Sequence, residues 1–108
     1  MMEKISLESA IRSFLDFSKN EEQSETFALL LEYMQLLFAD SEEEILLEDF
    51  TAYEADDFLN FFLEDNFPEE YEVIRKKSEK SLKDFFNYLK KKKLISKEEV
   101  EEWKEVFG

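Results

Sequence analysis

Apolar side chains recur at intervals of three and four residues along most of this chain, and almost nothing interrupts them. The only proline is Pro68 and the only glycine is Gly108. An interval of three or four places side chains on one face of an α-helix. With so few chain breakers, the segments between polar runs are expected to be helices, and no strand-like alternation competes with them. The 108 residues fall within the size of one domain. The expectation is therefore an all-α fold: one small four- to five-helix bundle spanning residues 1–108.

Capping signals and periodicity place the helices at about 6–17, 22–39, 51–65, 69–93 and 97–107. Ser6 stands at an N-cap position before Leu7, Ile11, Phe14 and Leu15. Phe27, Leu30, Leu31, Met34, Leu37 and Phe38 form the stripe of the second helix. ILLEDF reads as a short connector that plugs the core, either extended or one turn of helix. Thr51 with Glu54, and Ser96 with Glu99, have the spacing of a capping box. The third helix points Ala55, Phe58, Leu59 and Phe62 inward and ends at NFP, because proline disfavours helical geometry in the preceding residue. The fourth carries Ile74, Leu82, Phe85, Phe86 and Leu89, with small Ser78 and Ser81 in the same stripe, a pattern suited to close approach of a neighbouring helix.

The composition excludes most catalytic chemistry. Without histidine or cysteine the chain has neither the usual nucleophile–base pairs nor soft metal ligands. The acidic run SEEE at 41–44 and the pair Asp56, Asp57 lack the loop spacing of a calcium-binding hand, and adjacent carboxylates on a helix do not face one another. One glycine leaves no phosphate-cradling loop. The expectation is no enzyme, no cofactor and no metal. No run of eighteen apolar residues occurs, and MMEKISLESAIRSFLDF has no basic stretch followed by an apolar core. A cytoplasmic protein without membrane contact is expected, and the lack of cysteine suits a reducing compartment.

The net charge is -14, but its distribution is uneven. Residues 1–74 hold 3 basic and 21 acidic side chains, residues 75–97 hold 10 and 2, and residues 98–108 hold 1 and 5. Such asymmetry bears on partners rather than on fold. On a helix of about 3.6 residues per turn, Arg75, Lys76, Lys80, Lys83 and Lys90 fall on the side opposite the apolar stripe. A band of this kind can contact successive phosphates. It also has a plainer reading as the solvated face of an amphipathic helix, with LKKKKL placing cations near the negative end of the helix dipole. The acidic remainder reads either as a solubilising surface or as a face for a basic protein. Trp103 and Phe107 either fold onto the core or form an exposed partner-binding patch.

The motif order resembles that of the N-terminal core-binding, SAM-like domain of tyrosine recombinases and phage integrases, across about residues 7–97. The matching pieces are AIRSFLDF, then SETFALLLEYMQLLF with Ser24 followed by Thr26, then EDFTAYEADDFLNFFL, and then SEKSLKDFFNYLKKKKLIS. The resemblance implies a four-helix module that helps to clamp duplex DNA. It implies phosphate contacts for Arg75, Lys76, Lys77, Lys80 and Lys83. Residues 24–39 depart from the pattern, offering Glu25 and Glu32 and no cation. The family's catalytic pattern of several arginines, a histidine and a tyrosine is not within this chain, whose arginines are Arg12 and Arg75.

The functional expectation is a non-catalytic helical module that binds DNA weakly and without sequence preference through its fourth helix, using Arg75, Lys76, Lys77, Lys80, Lys83 and Lys90. The alternative is an acidic interaction module, or DNA mimic, that binds a basic protein.

Overall fold

A computed structural model describes residues 5–40 and 43–107. Among these the chain is all-helical and its only strand-like pairing is one isolated bridge. It divides into two units, Met1–Phe50 and Thr51–Gly108.

In the first unit α1 runs Leu7–Ser18 and α2 runs Glu21–Leu37. The Ser6 hydroxyl accepts from the Ser9 N–H at 3.1 Å and so satisfies one of the donors a helix start leaves unpaired. α1 ends at Lys19, which takes a left-handed conformation (φ 54°) while its N–H closes on the Leu15 carbonyl. Asn20 then caps α2 through Glu22 N–H at 3.0 Å. Phe14 of α1 meets Phe27 of α2 edge-on, with ring centroids 5.5 Å apart. The ILLEDF connector does plug the core, and it uses both expected conformations. Leu7 N–H donates to the Ile45 carbonyl and Leu47 N–H to the Ile5 carbonyl, bridging Ser6 to Leu46. A single 3₁₀ turn, Leu47–Asp49, follows and buries Leu47 and Phe50.

The inward face of α2 differs from the expected stripe. Gln23, Thr26, Phe27, Leu30, Tyr33 and Met34 are buried, Leu31 and Phe38 are half-buried, and Leu37 is 51% exposed. The sequence FALLLEYMQLLF is apolar on nearly every side, so periodicity alone does not choose the face.

In the second unit α3 spans 52–66, starting as Ala52–Asp57, passing through a π turn at Phe58–Phe62 and resuming at Leu63–Asn66. Its start is fixed by Glu54, whose carboxylate accepts from the Thr51 N–H at 3.0 Å and from the Thr51 hydroxyl at 2.7 Å. In the π turn Leu63 N–H reaches back five residues to Phe58. The inserted residue moves the inward position from Phe62, which is half-buried, to Leu63, which is fully buried beside Ala52, Ala55, Phe58 and Leu59. Phe67 ends the helix at φ -136°, as Pro68 requires.

α4 runs Tyr71–Lys91 and α5 runs Lys97–Phe107. α3, α4 and α5 pack on one another. The buried stripe of α4 is Ser78, Ser81, Leu82, Phe85, Phe86, Tyr88 and Leu89, close to the expected one, with Ile74 half-buried. α4 closes with two nested bonds, Lys93 N–H to the Lys90 carbonyl and Leu94 N–H to the Leu89 carbonyl, around a left-handed Lys93 (φ 59°). Ser96 caps α5 by accepting from Glu99 N–H at 3.2 Å. Of the two placements open to the α5 aromatics, the structure shows the inward one for Trp103. It stacks on Phe86 at 5.3 Å and is buried, so it offers no exposed patch, while Phe107 lies 5.2 Å from it and is half-buried.

Candidate nucleic-acid interface

The face of α4 opposite its buried stripe is set by helical rotation alone. At about 100° per residue, Lys76, Lys80, Lys83, Asn87 and Lys90 share that face, and all five are exposed. Lys76 and Lys90 are separated by fourteen residues, about 21 Å along the axis at 1.5 Å per residue. Lys76, Lys80 and Lys83 also line one shallow depression together with Glu79.

Arg75 and Lys77 lie apart from this band. Lys77 is exposed on one flank of the helix. Arg75 is half-buried on the other and is turned toward α3. Its Nε donates to Asn60 Oδ1 at 3.2 Å and its Nη1 donates to Glu79 Oε2 at 2.8 Å. Glu79 also lies 3.4 Å from Lys83 Nζ. Among the described residues Lys76, Lys77, Lys80 and Lys90 form no ion pair.

Two contributors escaped the sequence reading. Glu79 stands four residues from both Arg75 and Lys83, and that spacing is a readable signal for ion pairing on a helix. Asn60 carries no such signal, because it is fifteen positions from Arg75 and is delivered by the π turn of α3. The LKKKKL run has a local explanation in part: Lys90 and Lys91 occupy the last turn, where cations complement the dipole, and Lys93 occupies the left-handed closing position.

Elsewhere, Asp16, Glu21, Glu22, Glu25 and Glu32 of the first unit are exposed. Of the SEEE run, Glu43 and Glu44 are exposed, while Ser41 and Glu42 lie outside the described residues. Asp56 is exposed and accepts from Asn60, and Asp57 is half-buried. Among the described residues no three acidic side chains converge on a point that holds a metal ion, and no helix is long and apolar enough to cross a membrane. Compared with models of protein families, with curated proteins and with solved structures, the chain matches none.

Proposed function

We propose that this chain is a small non-catalytic helical module, of the SAM-like core-binding type, that binds duplex DNA weakly and without sequence preference through the outer face of α4. The observation that carries this reading is the alignment of Lys76, Lys80, Lys83 and Lys90 on one exposed face opposite a buried stripe. Lysine ammoniums are compact point charges that suit phosphates and read base edges poorly, which accounts for the lack of sequence preference. The exposed Glu25 and Glu32 of α2 repel phosphate, so α2 adds nothing to the contact. The net charge of -14 opposes approach of any polyanion and keeps affinity low.

The test is titration of a fluorescent duplex at low salt. Lys83 is engaged by Glu79, and the three remaining lysines, Lys76, Lys80 and Lys90, give three phosphate contacts and a salt slope near -2.7, so affinity falls about 40-fold between roughly 50 and 200 mM salt. The triple change Lys76→Glu, Lys80→Glu, Lys83→Glu abolishes retention. Affinity indifferent to that change, or to salt, rules the reading out.

A second reading is favoured by the engagement of Arg75 and Lys83 with Glu79, which withdraws positive charge from the α4 face. In it the exposed carboxylates hold a basic protein. Binding of polylysine without any duplex retention, lost when Glu43, Glu44, Asp56 and Asp57 are neutralised, supports this alternative.

A further inference from the structure

Between Arg75, on the flank of α4, and Lys83, on its lysine face, the helix carries one acid, Glu79. Glu79 lies one turn after Arg75 and one turn before Lys83. Its Oε2 accepts from Arg75 Nη1 at 2.8 Å and its Oε1 stands 3.4 Å from Lys83 Nζ. The carboxylate thus makes the contacts that a phosphate oxygen makes with a guanidinium and an ammonium. It also borders the depression that Lys76, Lys80 and Lys83 line.

Arg75 is held from a second direction. The Asn60 amide nitrogen is committed to Asp56, donating to its backbone carbonyl at 3.0 Å and to its carboxylate at 2.7 Å. That leaves the Asn60 carbonyl oxygen for Arg75 Nε. A guanidinium has five N–H donors in a rigid fork, so these two bonds fix its plane and leave other donors available. The fork is already oriented, with Glu79 in the place of a ligand.

We infer that Glu79 is an internal competitor for phosphate on this face: it satisfies Arg75 and Lys83 in the unliganded protein and must be displaced before either takes part in binding a polyanion. The inference rests on the reading of the α4 face given above, and makes Glu79 a residue that lowers its affinity. Glu79→Gln keeps the side chain's size and removes the charge. Partly exposed ion pairs are individually weak, so loss of two such contacts strengthens duplex binding by about 3- to 10-fold. Release of one or two cations also steepens the salt slope by about 0.9 to 1.8.

The experiment titrates the same fluorescent duplex into wild type, Glu79→Gln and Glu105→Gln at low and moderate salt. Glu105 is exposed on α5 and outside the face, so its substitution makes the same change in net charge elsewhere. Tighter binding and a steeper slope for Glu79→Gln alone support the proposal. If wild type binds but the two variants behave alike, Glu79 has no special role and the face stands without it. Tighter binding at an unchanged slope shows that Arg75 and Lys83 are not released, which also overturns it. If no duplex is retained by any of the three at low salt, the reading of the face itself fails.

Discussion

Replacing Trp103 with alanine tests the packing of the second unit most directly. Trp103 is 1% exposed and stacks on Phe86 at an interplanar angle of 10° and on Phe107 at 18°. A buried tryptophan removes roughly 150–250 Å² from water, about 4–6 kcal/mol at 25 cal/mol per Å². Each ring pair adds about 0.5–1.5 kcal/mol, while partial collapse of the vacated site recovers some of the loss. Changes of this type cost about 3–5 kcal/mol in well-packed interiors. Taking about 4 kcal/mol, and a urea dependence of about 1.5 kcal/mol/M for a chain of this size, the unfolding midpoint falls by about 2.5 M. The assay is urea unfolding followed by far-UV circular dichroism. α5 has only 11 residues and is marginal without packing, so its helical signal is lost first. Trp103→Phe keeps a ring in the stack and is expected to lose less than half as much. A Trp103→Ala midpoint within about 0.5 M of wild type, equivalent to under 1 kcal/mol, would refute the reasoning and restore Trp103 as a candidate partner anchor.

Two further substitutions probe the helix ends. Ser6→Ala removes the acceptor for Ser9 N–H and is expected to destabilise by about 1 kcal/mol, read as a lower urea midpoint; no change would show that the cap contributes nothing. Lys93→Gly relieves the left-handed conformation at φ 59°, where a side chain costs about 1–2 kcal/mol and glycine's greater freedom in the unfolded chain offsets part of the gain. A net rise of about 0.5–1 kcal/mol, or roughly 3–6 °C in melting temperature, is expected, and a fall would contradict it.

The helices themselves are local objects, and the sequence by itself determined them. Ser6, Thr51, Ser96 and Pro68 act on backbone groups within a few residues of themselves, so the helix limits follow from short-range chemistry. The burial of Ser78, Ser81, Leu82, Phe85, Phe86 and Leu89 against an exposed lysine band was legible for the same reason, since α4 is polar on one side and apolar on the other. Tertiary structure decided what periodicity left degenerate. α2 is apolar on nearly all sides, and the surrounding packing selected Thr26 and Tyr33 over Leu37 for burial. It also decided the π turn, which exchanged Phe62 for Leu63, and with it the position of Asn60. The orientation of Arg75 toward Asn60 depends on groups fifteen residues apart. A propensity acts on the nearest turn of chain, whereas a side chain that must choose among several apolar or charged neighbours is placed by the elements that arrive beside it.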